Sequence, residues 1–501
     1  MAWSVMDKDL RRSLLVLAAV IVVTAWFSDL FYFPDEHYQV LEFMSYKLGI
    51  TPGSELPWEF SVRIRPWFQP LVYFLIAKPL LLLGLKDMFA IVFMLRLATG
   101  LLSLSALVAF SKALLPTIEG EEEQRAFVRY LPWFGFLPYL FVRTSSETFS
   151  SAFIALGLAF ALGEKSVRRL ALAGLLCGLA FESRYQAGLL GLGLFAWLAI
   201  VARTRIAALL AFVAGGGAAL GIGVLADWWG YGQFVFPPLD YVDVNLVRGV
   251  AEHQFGREPV FAYLYLLPAQ IFFAITLILM AGLVAMWLRN PRHAVSWATL
   301  PFVLAHVAVA HKEARFLFPL AILATAIPVL GFSPQLPLWR DVFARIWEWR
   351  RSWAAKIATG ISVTAMVFFA LYPFGVRPHM PMAEYLYRHS RATIYSFDMP
   401  FASYPMYRPL GFHSEQLKDQ AQLNALLDRG PIFLMAETPV PPVLPPGARA
   451  TLLCSEFPLA RFGFGQAGAD FIRGYTAFAA RHRFLKLLPL YWYTLYRVAR
   501  S

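Results

Sequence analysis

Long apolar runs separated by short polar connections recur along most of the chain. They fall at 13–31, 67–84, 89–110, 127–142, 148–163, 169–181, 187–202, 206–226, 260–287, 294–310, 316–332 and 354–373, and most approach the length of a bilayer span. The pattern predicts a polytopic α-helical membrane protein with about 11–12 membrane helices. It changes near residue 375. From 376 to 501 the charges are spread, prolines are frequent and no span-length run occurs. ATIYSF (392–397), PIFLMAE (431–437) and ATLLCSE (450–456) predict strands, and LKDQAQLNALLDRG (417–430) predicts a helix closed by Gly430. PVPPVLPPG (439–447) reads as a stiff loop. Two units follow: a membrane module over 1–375 and a small C-terminal α/β domain over 376–501.

Charge orients the module. KDLRR (8–12), RTR (203–205), WLRNPRH (287–293) and RDVFARIWEWRR (340–351) are basic and predict the cytoplasmic side. The loops 32–66, 226–259 and 311–315, together with the tail, then face outward. Parity fails once, between 84 and 148. The short segment 127–142, with Pro132 and Pro138, is the expected re-entrant piece. Its removal leaves eleven crossings and an outward C-terminal domain.

Composition agrees with a membrane location. The 501 residues are 58% hydrophobic and only 15% charged, less charge than a soluble protein of this size carries. The net charge of +12 sits mostly in short connections, which gives it a topological meaning and argues against nucleic-acid binding. The first run is long and no small-residue site precedes PDEHYQ, so it reads as a retained span and not a cleaved leader. Cys177 and Cys454 are far apart and suggest no disulfide framework. His37, His253 and His311 lack metal-ligand spacing, and neither HExxH nor CxxC occurs. No metal and no cofactor is expected.

The polar residues gather at span ends. PDEHYQVLE (34–42), PWEFSVRIRPWFQP (57–70), RTSSE (143–147), ESRYQ (182–186), DWWGYGQFVFPPLDYVDVN (227–245) and HKEARF (311–316) all fall on the outer face of this topology. HKEARF places a His, two cations and a carboxylate between two apolar runs, a costly concentration of charge near lipid. Lys and Arg suit phosphate, and a carboxylate among them holds their side chains in place. An acid pair facing a phosphate-binding cluster beside lipid fits transfer of a group from a lipid phosphate to an acceptor hydroxyl. A lipid transporter or flippase would carry mid-span polar residues and inverted repeats, and neither pattern is present. A non-catalytic subunit of an envelope assembly complex is the other alternative, and the pairing of Asp35 with HKEARF argues against it.

PDEHYQVLE, PWEF with RPWFQP, the aromatic loop followed by HQFGREPVFAY, and HKEARFLFP occur in this order. Over roughly residues 13 to 332 the chain resembles glycosyltransferase family 22 of the GT-C superfamily, the mannosyltransferases of glycosylphosphatidylinositol-anchor and N-glycan precursor assembly. RYQA (184–187) is similar to an Arg-containing membrane motif of that family. The resemblance implies a GT-C fold with its active site on the lumenal or periplasmic side. It implies inverting transfer of a sugar, usually mannose, from a polyprenyl-phosphate donor to a lipid-linked or cell-envelope glycan. Asp35 is then the expected base and Glu36 the adjacent catalytic acid. His311, Lys312, Glu313 and Arg315 belong to the donor-phosphate region. His37, Trp58, Glu59, Arg65, Arg143, Arg184, Tyr231 and Asn245 are the further substrate-binding candidates. The compact length and the lack of an endoplasmic-reticulum retention signal suggest a bacterial inner-membrane enzyme.

Overall fold

The computed structural model describes residues 2–28, 31–131, 134–270, 273–332, 380–389, 393–397, 404–408, 413–483 and 492–500, with scattered positions between 353 and 371. The basic segment 340–351 and most of the expected span 354–373 lie outside the described residues. The principal helices are α1 (Ala2–Phe27), α2 (Phe68–Leu82), α3 (Met88–Leu114), α4 (Glu121–Tyr130), α5 (Ser146–Leu162), α6 (Val167–Ser183), α7 (Gly188–Ile200), α8 (Ile206–Tyr231), α9 (Phe273–Arg289) and α10 (Ala294–Ala308). Among the described residues, Leu10–Phe27, Met88–Thr117 and Ile206–Tyr231 are long and apolar enough to cross a membrane unaided. A fourth segment is the pair Ala314–Leu320 and Leu323–Gly331, bent by 70°. The other apolar helices are shorter.

Small residues set the closest helix contacts. A Cβ at Gly174 of α6 would lie 1.8 Å from the Phe212 carbonyl of α8, and one at Gly215 of α8 would lie 2.0 Å from the Ala171 carbonyl of α6. Gly178 meets Ala219 in the same seam. Where lipid is as apolar as leucine, such backbone-to-backbone approach is a main source of helix association. Gly193 of α7 approaches the Trp297 carbonyl of α10 in the same way.

Two segments exchange the roles expected of them. Helices α1 and α3 are antiparallel: Arg96 Nε donates to the Ala25 carbonyl at 2.9 Å, and a Cβ at Gly100 would meet Ile21. Helix α3 therefore begins at the end of the bundle that carries Asp35. Helix α2 is held at that same end, because Gln69 Nε2 donates to the Thr144 carbonyl at 3.0 Å and the Tyr73 hydroxyl bonds Thr99 at 2.6 Å. The run 67–84 is thus not a crossing. Its apolar face, with Phe68, Tyr73 and Ala77, is buried in a core shared with the C-terminal sheet. The stretch 127–142, expected to turn back, has its two described ends at opposite ends of α1. Ser13 bonds the Val128 carbonyl at one end, and Arg143 bonds the Ser28 carbonyl at the other. Pro138 opens its second helical piece, Leu137–Phe141.

The C-terminal unit is a five-stranded sheet of order β2-β1-β3-β5-β4, with β1 (Thr393–Ser396), β2 (His413–Gln416), β3 (Ile432–Ala436), β4 (Ala448–Ser455) and β5 (Thr494–Arg500). β1 pairs in parallel with β2 and β3, while β5 is antiparallel to β3 and β4. The parallel step from β2 to β3 passes through helix α12 (Gln420–Leu427), capped by Asp419. An earlier helix, α11 (Met380–His389), precedes the sheet, and α13 (Gly465–Arg481) lies between β4 and β5. Strand alternation sorts the two faces. Leu434, Tyr496 and Val498 pack with Leu423 and Leu427 of α12, whereas Met435, Leu495 and Cys454 join Phe31, Met44 and Phe89 of the membrane module. Among the expected elements, β1, β3, β4 and α12 match the structure. The strands HSEQ and TLYRVAR are additional.

Candidate active site

The turn that carries Asp35 is fixed from both sides. Buried guanidinium groups of Arg96 and Arg143 donate to the free carbonyls at the end of α1, Ala25 at 2.9 Å and Ser28 at 2.6 Å, as its helix dipole favours. Pro34 then opens the single turn Pro34–Glu36. Glu36 is buried. It accepts the Thr144 amide at 2.7 Å, the Thr144 hydroxyl at 3.1 Å and the Tyr32 amide at 3.1 Å, with Arg143 at 3.9 Å. These bonds tie the first loop to residues 143–144. In this structure Glu36 and Arg143 tether the loop.

Asp35 points the other way, and its side chain is 29% exposed. Its Oδ2 lies 2.7 Å from Arg315 Nη1. Arg315 also donates from Nε to Glu313 at 2.5 Å, approaches Glu147 at 3.5 Å, and lies over the Phe33 ring at 4.5 Å. Glu147, in the first turn of α5, in turn holds Arg184 at 2.8 Å. His311 Nε2 is 3.0 Å from Glu313. Four helix ends thus contribute to one alternating network: Arg184, Glu147, Arg315 and Asp35, with Glu313 and His311 bracing Arg315. Burial pushes the Asp35 carboxyl up, but the charges of Arg315 and Arg65 outweigh it and leave the group below the usual carboxylate range. Glu313 is likewise raised by burial and then driven well below its ordinary value by Arg315 and His311. Both acids are ionised at neutral pH.

The remaining expected residues fall into three places. Arg65 lies near Asp35, with Nη2 at 3.4 Å from buried Glu59, and Gln39 reaches the same carboxylate at 2.9 Å. Tyr231 clamps the Arg65 backbone, donating to its carbonyl at 2.9 Å and accepting its amide at 3.2 Å. Asn245 bonds the Tyr241 carbonyl at 3.2 Å and shapes its own loop. Trp58 is exposed at the rim. Lys312 is buried, and its ammonium donates to the Glu258 carbonyl at 3.3 Å and to the Val309 carbonyl. It acts here as a brace for the 256–259 turn.

His37 lies in a separate cluster. It is fully buried, bonds Glu42 at 2.6 Å, and sits among the rings of Phe31, Tyr38, Tyr404 and Tyr407. Glu42 also accepts from the Thr51 hydroxyl and from the Met406 amide at 3.2 Å. This cluster fastens the C-terminal unit to the first loop. Glu147 is the residue that sequence reasoning missed. It stands in the RTSSE cluster, but only a folded α5 shows that it, and not Arg143, faces Arg315.

Comparison with known proteins gives a consistent result. The model of the Alg9-like mannosyltransferase family matches residues 13–409. GPI mannosyltransferase 3 of Yarrowia lipolytica is 27% identical over 78% of this chain and 73% of its own length. GPI alpha-1,2-mannosyltransferase 3 of Homo sapiens is 26% identical over 65% of this chain, which spans 58% of the human protein. Among solved structures, ArnT from Cupriavidus metallidurans, crystallised with undecaprenyl phosphate, superposes with a TM-score of 0.51. That match covers 84% of this chain and 92% of ArnT at 14% identity, a likeness of fold.

Proposed function

The chain belongs to the Alg9-like mannosyltransferase family, and on that premise we propose that it transfers mannose with inversion from a polyprenyl-phosphate donor to a glycolipid or glycan acceptor. The observation that carries the reading is the Asp35–Arg315 pair, 2.7 Å apart, where α1 and α10 end together. Asp35 takes the proton of the acceptor hydroxyl as the new glycosidic bond forms. The bond from the anomeric carbon to the phosphate oxygen breaks, and the lipid phosphate leaves with its charge. Arg315 stabilises that phosphate, braced by Glu313 and Glu147. The two roles are coupled. In the resting pair Arg315 holds the Asp35 carboxyl down, which makes it a weak base. A donor phosphate that shares the guanidinium loosens this hold and restores basicity when substrate is present. Lys312 supports the donor site from behind through its bond to the Glu258 carbonyl in the 256–259 turn.

The Asp35 end of the bundle is assigned to the extracytoplasmic side, because the basic connections 164–169, 203–205 and 289–293 lie at the other end. That is the periplasmic side in a bacterium and the lumenal side in a eukaryotic endomembrane. The test is a reconstituted reaction with a polyprenyl-phosphate mannose and a glycolipid acceptor. A product of opposite anomeric configuration to the donor is expected. Retained configuration, or transfer only from a nucleotide sugar, would contradict the reading.

A further inference from the structure

Helix α13 carries apolar residues on two adjacent faces, and the protein itself covers one of them. Gly468, Ala469 and Ile472 are buried. A Cβ at Gly468 would lie 2.8 Å from the Phe457 ring, and one at Gly465 would lie 2.2 Å from the Pro439 carbonyl, so close packing fixes the helix in rotation. Phe464, Phe471 and Phe478 then follow one another at every seventh residue, about two turns apart, and form one stripe beside the buried face. With Leu459 and Phe462 of the preceding turn, Pro458–Phe462, they are 48–76% exposed. The Phe471 ring stacks on Trp492 at 5.7 Å, which holds the ring without covering it. Large apolar side chains scattered singly need no explanation, but five along one edge mark a surface that another phase or molecule covers.

Placement and charge identify the cover. The chain leaves the sheet for α13 after Ser455 of β4 and returns at Thr494 of β5. Cys454 and Leu495, next to those two points, belong to the apolar core that holds Phe31 beyond α1 and Phe89 of α3. Helix α13 therefore hangs from the end of the sheet that meets the membrane module, and the leaflet around that module is its nearest apolar phase. From Phe457 to Trp492 the sequence holds five cations, Arg461, Arg473, Arg481, Arg483 and Lys486, against the one carboxylate of Asp470, which pairs with Arg473. Arg461, Arg481 and Arg483 are exposed and stand at the two ends of the aromatic stripe. Aromatic rings along one edge of a helix, with arginines around them, suit the interface of a bilayer, where rings meet the acyl boundary and guanidinium groups meet phosphates.

We propose that α13 and the turn before it rest on the bilayer surface, with Phe462, Phe464, Phe471 and Phe478 inserted at the headgroup boundary and Arg461, Arg481 and Arg483 on anionic phospholipid. The C-terminal unit is then held from two sides, by the first loop and by lipid, which sets its tilt above the membrane. Asp35 takes no part in this contact, so the lipid surface and the transfer chemistry are tested separately.

The test is site-directed spin labelling of the full-length protein in lipid nanodiscs. Cys177 and Cys454 are buried, so the label goes to an added cysteine. Phe464→Cys and Phe478→Cys report on the stripe, and Gln466→Cys and Ala477→Cys on the opposite, exposed side of α13. The discs are made of phosphatidylcholine with or without phosphatidylglycerol. With phosphatidylglycerol, labels at 464 and 478 should collide several-fold more with oxygen than with a water-soluble nickel chelate, and labels at 466 and 477 should show the reverse. Combining Arg461→Gln, Arg481→Gln and Arg483→Gln should abolish the gain in protection that phosphatidylglycerol gives. A lowered melting temperature for Phe464→Cys leaves position 478, in the last turn, to carry the comparison with 477. Nickel-open labels on the stripe, or protection indifferent to phosphatidylglycerol and to the three arginines, would overturn the proposal. So would dipolar broadening between labels at 478, which would put a second copy of the chain on the stripe.

Discussion

Asp35 and Glu36 are neighbours in sequence and opposite in circumstance. Glu36 is sealed beneath the loop on two backbone amides and one hydroxyl, whereas Asp35 is partly exposed against a shared guanidinium. Removing the Glu36 carboxylate leaves those donors and the Arg143 charge without their acceptor. Glu36→Ala should therefore lower stability by roughly 2–5 kcal/mol. Protein that does fold should keep its turnover within a few-fold, which thermal unfolding and transfer assays on the same sample would show. A fully stable, inactive Glu36→Ala protein would return this residue to the chemistry. The residue-level reading of PDEHYQ was half legible from sequence. The acids announced themselves, but their side-chain directions depend on Thr144 and Arg315, more than 100 residues away. The pH dependence follows from the same pair. Arg315 and Arg65 hold the Asp35 carboxyl below the usual carboxylate range, so the free enzyme keeps it ionised down to and through the range where ordinary carboxylates titrate. Hence kcat/KM should show no acid limb between about pH 5 and 7, since that parameter reports the free enzyme. A limb with its midpoint near 6 would place the controlling group elsewhere.

At the scale of elements, apolar length alone could not separate α2 from a crossing. Its 15 residues span about 22 Å, short of the roughly 30 Å hydrocarbon core. They are apolar because they lie between the bundle and the C-terminal sheet, and a hydropathy window cannot distinguish lipid from a packed β face. The stretch 127–142 departs in the opposite sense, since Pro138 opens a new helical piece while the described ends still lie at opposite ends of α1. Impermeant-reagent labelling of single cysteines decides between the two arrangements. Lys86→Cys should label from the same side as Ser54→Cys, and Arg205→Cys from the other. Labelling of Lys86→Cys with Arg205→Cys would restore α2 as a crossing. The α6–α8 seam gives a second prediction at this scale. Gly174→Leu drives a side chain into the Phe212 carbonyl, where backbone cannot yield. It should cost several kcal/mol, of the order seen for severe overpacking, and abolish a monodisperse detergent peak. A stable Gly174→Leu protein would show that the helices are not in backbone contact.

At the scale of the whole molecule, the C-terminal unit is fastened to the membrane module where the chemistry is placed. Glu42 bonds the Met406 amide, Arg408 pairs with Glu55 at 2.7 Å, and Arg388 pairs with Asp87 at 2.9 Å. One apolar core runs through both, from Phe31 and Phe89 to Tyr407 and Leu495. The tail's strands were legible from their alternation. Its attachment was not, because it rests on single residues such as His37 and Tyr404 whose partners are distant in the chain. The same division holds for the site: the polar clusters at span ends were readable, and the alternating network joining them was not. That network gives Asp35 its place, its charge and a cation that a phosphate can share. The account turns on Asp35 as the proton acceptor, so the most direct measurement is the single-turnover transfer rate of purified Asp35→Asn protein saturated with donor. A fall of about 10²–10⁴-fold or more is expected, with donor affinity and melting temperature close to wild type. A near wild-type rate in that folded, donor-loaded protein would contradict the account.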